Sequence, residues 1–323
     1  MTTNDPEEVT MNFLSEYSLF ALETFTFVLA TLFLVAGLTS IGKKNKEGLT
    51  ICSLDKEFEA TKKQVSKETH QKKINKKKNK DKKDKPCRFV LDFKGDIAAT
   101  QVEQLRQEVT ALLAVATKKD EVIVRIESPG GSVNGYGLAA AQLQRIRDKH
   151  IPLTACIDQV AASGGYLMAC VANRIIAAPF AIVGSIGVVA QLPNFHRWLK
   201  KNNIDVELLT AGEYKRTLTL LGENTDAGRK KFQSDLEKIH TIFRNYILSN
   251  RQTLNIDEVA TGEHWLASDA LSLGLVDHLQ TSDDYLQEQY DEYRTYAIRI
   301  YAKQSWYTKL LRPIAHLIHP SVL

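Results

Sequence analysis

The sequence predicts an α/β fold built on a mostly parallel sheet. Two observations carry that expectation. Short apolar runs, "RFVLDF", "EVIVRIE", "PLTACI" and "NRIIAA", alternate with segments whose apolar residues recur at helical spacing. Glycine-marked turns at "SPGG", "ASGG" and "VGSIG" punctuate those runs. A run such as "VIV", without polar alternation, belongs to a strand buried on both faces, as parallel strands are.

Taken in order, "RFVLDF" opens the globular region at Arg88 as a strand. Thr100 and Glu103 stand at capping-box spacing, and Val102, Leu105, Val109, Leu112 and Ala116 follow at steps of three and four, which predicts a helix with one face inward. "EVIVRIE" is a buried strand that runs into "SPGG". A helix is expected over roughly Val133 to Lys149, then a strand at "PLTACI", an apolar helix behind Ser163, a strand at "NRIIAA" and another at "VELLT". "DAGRKKFQSDLEKIHTIFRNYIL" is a long amphipathic helix. The chain shows no internal repeat.

The region before Arg88 reads differently. Phe25 to Ile41 is 17 residues without a charge. At 1.5 Å per residue it spans about 26 Å, near the roughly 30 Å hydrocarbon core of a bilayer. Residues 1–42 hold no Lys or Arg, so the basic start of a signal peptide is absent, and an uncleaved single-pass anchor is expected. From Lys43 to Lys85, 16 Lys face 7 Asp and Glu, a balance of +9; the net +4 of the whole chain then leaves −5 for the rest. The basicity is local. It argues against nucleic-acid binding by the folded part, and the Lys-rich part lacks the aromatics that would stack bases. The tract reads as a linker, mobile or a solvated helix, with attraction to anionic head groups as a second role. The resulting division is 1–42 for tail and anchor, 43–87 for the linker, 88–285 for the main domain and 286–323 for a C-terminal extension. Cys52, Cys87, Cys156 and Cys170 form no CxxC pair and have no histidine at zinc-finger spacing; Cys156 and Cys170 read as small core residues.

The chemistry centres on "DQVAASGGYLMACVA", where Ser163 stands between small residues at the start of an apolar helix. One reading is a tight packing junction with Ser163 as helix cap. The other is a nucleophile, which needs a base, donors for an oxyanion and room for substrate backbone. The turn at Gly130 and Gly131 and the N–H of Gly164 would supply donors without side chains in the way. No histidine lies between His150 and His196, and "AASGG" lacks the GxSxG pattern of a hydrolase elbow. A lysine remains, in "TAGEYKRT". A free lysine titrates near about 10.4, so a lysine base must be dried by burial, at about 4 kcal/mol for a drop of about three pH units. Ser185 could hold such an amine by a hydrogen bond.

The run "ESPGG…VAASGGYLMACVA…APFAIVGSIGV…TAGEYKRTLTLLGENT" resembles the signal peptide peptidase A family of serine peptidases, and the resemblance covers nearly the full chain. It implies the fold of the Clp protease and crotonase superfamily. It implies Ser163 as nucleophile, Lys215 as general base, Ser185 as the residue that positions the lysine, and Gly130 with Gly164 as the oxyanion hole. It further implies membrane-associated, signal or unfolded peptides as substrates, no metal or cofactor, and a homo-oligomeric ring whose adjacent subunits contribute serine and lysine. The location implied is the bacterial inner membrane, with the catalytic domain outside. Lys43, Lys44 and Lys46 directly after the anchor point to the cytoplasm instead, by the positive-inside rule, so the side that the domain faces stays open. Two other classes remain open on the residues alone: a crotonase-type acyl-CoA enzyme, which needs glycine N–H groups but no serine, and a non-catalytic membrane scaffold.

Overall fold

The computed structural model describes residues 17–28, 30–31, 48–69 and 84–301. The chain divides into two units. One comprises Met1–Gly48 and Ala302–Leu323, of which residues 17–28 and 30–31 are described as helix and Gly48 as the first residue of a strand. No helix among the described residues is long and apolar enough to cross a membrane. Of the anchor expected over 25–41, residue 29 and residues 32–41 lie outside the described residues.

The other unit, Leu49–Tyr301, carries the sheet. Its elements are β1 (Gly48–Ser53), α1 (Leu54–Glu68), β2 (Cys87–Lys94), α2 (Val102–Leu113), β3 (Glu121–Glu127), α3 (Val133–Asp148), β4 (Leu153–Ile157), β5 (Val160–Ala162), α4 (Gly164–Ala169), β6 (Arg174–Ala177), β7 (Ile182–Gly184), α5 (His196–Lys201), α6 (Asp226–Asn250), α7 (Ile256–Val259), β8 (His264–Leu266), α8 (Ala267–Ser272), β9 (His278–Leu279), α9 (Ser282–Glu288) and β10 (Arg294–Tyr301). The main sheet has seven strands in the order β1-β10-β2-β3-β4-β6-β9, and every pair from β10 to β9 is parallel. A second sheet, β5-β7-β8, pairs β5 with β7 in parallel and β7 with β8 antiparallel.

Alternation along each strand sends side chains to two faces. On one face Leu91, Phe93, Val122, Val124 and Ile126 pack with Leu105, Val109 and Leu112 of α2 and Leu143 and Ile146 of α3. Each such side chain, fully buried, contributes about 1.5–3 kcal/mol. On the other face Val90, Ile123, Cys156 and Ile176 form a smaller core, closed by Tyr285, Leu54 and Leu286. Burial pushes the Cys156 thiol upward and the Cys170 thiol up to about 12, so both are inert packing residues rather than nucleophiles.

Four features depart from the expectations. The capping box does not form: the α2 cap is Gln101, and Thr100 instead donates its N–H and its hydroxyl to the Asp96 carboxylate, each at 2.8 Å. Asp96, one turn earlier, outcompetes Glu103 because its short side chain reaches the free N–H directly. "VELLT" forms no strand; residues 205–210 are exposed and find no ladder partner among the described residues. Conversely, residues 48–53 of the Lys-rich tract form a sheet strand, while residues 54–68 form the solvated helix allowed for that tract, capped by Ser53, whose hydroxyl accepts the Lys56 N–H. Residues 294–301, assigned to the C-terminal extension, form a strand seated against β2, with Arg294 opposite Cys87.

The far edge of the sheet is pinned by Asp277, whose carboxylate accepts both Arg251 guanidinium nitrogens at 2.7 Å and the Ile175 N–H at 2.7 Å. Burial acts to raise the carboxyl, but the Arg251 hydrogen bonds, the Ile175 N–H and the Arg251 charge outweigh it and hold it below the usual carboxylate range. A lowered folded-state value means stability that is present at neutral pH and lost as acid protonates the group. Asp277→Asn is therefore expected to lower Tm at pH 7. The gap to the parent should close as pH falls below the ordinary carboxylate range; a constant gap in a pH series of thermal melts would refute this.

Candidate active site

The second sheet builds the site. Ser128, just past β3, donates its N–H to the Val160 carbonyl at 2.8 Å, and its own carbonyl accepts the Ala162 N–H at 3.0 Å. These bonds deliver β5 to the end of the main sheet. Ala162 lies opposite Gly184, so Ser163 and Ser185 occupy matching positions just beyond adjacent parallel strands. Neighbouring strands are about 4.8 Å apart, which sets the two serines side by side. The Ser163 N–H donates to the Gly184 carbonyl at 2.8 Å, and the Ser185 N–H donates to the Glu263 carbonyl at 2.6 Å.

Both serines have positive φ, 51° and 52°. For a residue other than glycine such a conformation costs on the order of 1–3 kcal/mol and persists only where the surroundings impose it. Ser163 stands at the N-cap position of α4 with ψ −116°, yet its side chain makes no capping hydrogen bond. The hydroxyl is thus not held by the helix behind it.

The glycines close around it. Gly130 has φ 92°, and a Cβ there would lie 2.7 Å from Ser163 Cβ and 2.8 Å from the Gly164 nitrogen. A Cβ on Gly164 would strike the Tyr136 ring at 2.3 Å. Only bare backbone fits at either place. Gly164 starts α4, where first-turn N–H groups have no partner within the helix. The Gly130 N–H, by contrast, donates to Ser128 Oγ at 3.1 Å. Gly130 therefore contributes close approach, and Gly131 is the turn residue whose N–H has no partner among the described residues.

Lys215 falls on the segment between α5 and α6. It is exposed, its backbone N–H closes a turn onto the Gly212 carbonyl at 3.1 Å, and no hydrogen bond or ion pair joins its side chain to Ser163 or Ser185 among the described residues. The segment that carries it is tied at its base, where the Asn194 amide donates to the Thr219 and Gly222 carbonyls at 2.9 and 3.0 Å. Ser163, Ser185, Gly130 and Gly164 are thus brought together, and among the described residues no bond links the Lys215 side chain to either serine. Sequence reasoning missed Ser128 and Tyr136, which lie directly behind the glycines. The available signal was a tyrosine between two glycines in "NGYGL", eight residues after the serine of "SPGG". It also missed His240, whose Nε2 lies 3.2 Å from the Ile186 carbonyl beside Ser185.

An uncapped serine on a strained junction, with small residues admitting a second backbone, has the features that a serine nucleophile requires. Residues 12–143 match the model described as peptidase family S49 N-terminal, and residues 145–294 match that of peptidase family S49. A protein of Buchnera aphidicola subsp. Schlechtendalia chinensis, described as "Probable protease SohB", is 47% identical over 302 residues, which cover 85% of this chain and 99% of that one. One of Haemophilus influenzae with the same description is 53% identical over 228 residues, covering 71% of this chain and 65% of the relative. Among solved structures, a mutant of the 1510-N membrane-bound stomatin-specific protease aligns with TM-score 0.42 and 18% identity, over 64% of this chain and 84% of that one. The chain belongs to peptidase family S49, and with it to the serine-type peptidases.

Proposed function

We propose that the protein is a membrane-anchored serine endopeptidase that uses Ser163 as nucleophile and Lys215 as general base on membrane-associated, signal or unfolded peptides. The observation that carries the reading is the Ser163 hydroxyl, uncapped, at positive φ, between the backbones of Gly130 and Gly164. In the reaction the Lys215 amine takes the Ser163 proton as Oγ attacks the scissile carbonyl. The resulting oxyanion is met by the Gly164 N–H and by the glycine turn at Gly130 and Gly131. The lysine returns the proton to the departing amine, and water then hydrolyses the acyl ester. Ser185 stands beside Ser163 and would hold the incoming amine.

A lysine base must be dry, and Lys215 is exposed in the single chain. The reading therefore includes a ring in which Lys215 of one subunit closes over Ser163 of the next. Large apolar side chains on the same stretch support such a surface: Val189 and Leu209 are each 91% exposed, and Phe195, Trp198 and Tyr214 are exposed as well. Anchoring rests on the uncharged stretch from Phe25 to Ile41. The architecture is inferred to be that of the Clp protease and crotonase superfamily, supported by the small second sheet set beyond the ends of parallel strands.

The test is covalent labelling of detergent-purified full-length protein with a fluorophosphonate, read by mass spectrometry, alongside cleavage of casein. Label on Ser163, lost in Ser163→Ala, is the expected result. A chain that cleaves nothing, takes no label and binds acyl-CoA would instead be a crotonase-type enzyme.

A further inference from the structure

The hydroxyls of Ser128 and Tyr136 are hydrogen-bonded to each other in the interior, with the two residues 0% and 1% exposed. The Tyr136 hydroxyl also lies 2.8 Å from the Asp96 carbonyl, and Ser128 Oγ lies 3.1 Å from the Gly130 nitrogen. Proton bookkeeping leaves one arrangement. A carbonyl only accepts, so Tyr136 donates to Asp96. The Tyr136 oxygen must then accept from Ser128, and the Ser128 oxygen accepts from the Gly130 N–H. The chain runs one way, from the glycine turn to Asp96, and each hydroxyl has its proton direction fixed by its neighbours. Burial pushes the Tyr136 hydroxyl above the usual phenol range, with the Ser128 bond opposing and the Asp96 charge adding to it, so it remains a donor at working pH.

Tyr136 also sets the second glycine. Its ring fills the space beside Gly164, where a Cβ would lie 2.3 Å from Cγ. Gly95 closes the pair from the other side: a Cβ there would meet the Tyr136 hydroxyl at 2.3 Å and Ser128 Oγ at 2.5 Å. One side chain thus braces both backbone elements that flank Ser163, the turn through its hydroxyl and the start of α4 through its ring.

We propose that Tyr136 is a positioning residue of the peptidase, acting through Ser128 to hold the Gly130–Gly131 turn against Ser163 in the orientation that meets the oxyanion. The proposal rests on the peptidase reading of the site. Because the turn is aligned for the transition state rather than for ground-state substrate, loss of the relay should lower kcat and leave KM nearly unchanged.

The experiment uses the full chain, a fluorogenic peptide, and the variants Tyr136→Phe, Ser128→Ala and the double variant, all assayed well below their melting temperatures. Tyr136→Phe removes one oxygen and keeps the ring against Gly164. Each single change is expected to lower kcat by about 10- to 100-fold, less than or comparable to removal of an oxyanion donor itself, with KM within about threefold. The double variant should lose no more than the worse single one, because breaking either link breaks the same chain. Tyr136→Phe should also slow fluorophosphonate labelling of Ser163, a readout that survives if Ser128→Ala folds poorly. A Tyr136→Phe enzyme within twofold of the parent in kcat, or single losses that multiply in the double variant, overturns the relay while the peptidase reading stands. A parent chain that neither cleaves nor takes the label overturns both.

Discussion

Ser163→Ala and Lys215→Ala are each expected to lower peptide turnover by about 10³-fold or more, and an equal mixture of the two inactive chains is expected to recover part of the lost activity. The single losses follow from the division of labour in the proposed dyad: without the hydroxyl there would be no acyl ester, and without the amine the hydroxyl would keep its proton. The recovery follows from where Lys215 lies. It sits on an exposed segment, with no hydrogen bond to Ser163 among the described residues, on a stretch with side chains such as Leu209 that are almost fully exposed. In a ring with head-to-tail contacts, a site formed across an interface needs an intact serine from one subunit and an intact lysine from the other. Random mixing then gives about a quarter of the interfaces both groups. The measurement is turnover after co-refolding or co-expression of the two variants, with oligomer size checked by light scattering. If Lys215→Ala alone retains near-normal turnover, the dyad is wrong. If mixed rings form and stay inactive, both residues act within one subunit.

The sequence made the central layer legible because the signal there is local. "RFVLDF", "EVIVRIE" and "PLTACI" are short, mostly apolar runs, and they became β2, β3 and β4, mostly buried. Helices α2, α3 and α6 announced themselves by period, and α4 by its place after Ser163. What failed was non-local. The strand at 294–301 is a strand because Cys87–Val90 lies beside it, some 200 residues earlier in the chain. The strand at 48–53 depends on that late strand in turn, and the surrounding lysines hid it. "VELLT" has strand composition without a partner to pair with. At the site the same rule holds. Ser163, Gly130 and Gly164 were readable as a pattern of small residues around a hydroxyl. That Ser163 and Ser185 end matching strands, and that the Gly130 N–H is already held by Ser128, are consequences of register and could be seen only in the fold.

Glu121→Ala is the substitution expected to cost the fold most, by about 3–5 kcal/mol, because it leaves a buried guanidinium without its counter-charge. Arg88 is 0% exposed, and its Nε donates to Glu121 Oε2 at 2.7 Å. The other carboxylate oxygen accepts from Thr154 Oγ1 at 2.8 Å and from the Tyr285 hydroxyl at 2.6 Å. Gln289 accepts from a second Arg88 nitrogen, and the guanidinium lies over the Tyr285 and Tyr293 rings at 5.2 and 4.1 Å. This cluster joins β2, β3 and β4 to α9 on the thinner side of the sheet, where the apolar core has five buried members among the described residues. Strong attraction inside does not make the pair a net gain, since both charges had to leave water. Loss of one partner is the costly event. The double change Arg88→Met with Glu121→Leu, which removes both charges and keeps the volume apolar, should therefore destabilise less than Glu121→Ala alone. Chemical denaturation and thermal melts of the three proteins decide it, with a fall in Tm of roughly 10 °C expected for Glu121→Ala in the melts. If the double variant is as unstable as the single one, packing and the Thr154 and Tyr285 hydrogen bonds hold this face together, and the buried charge does not.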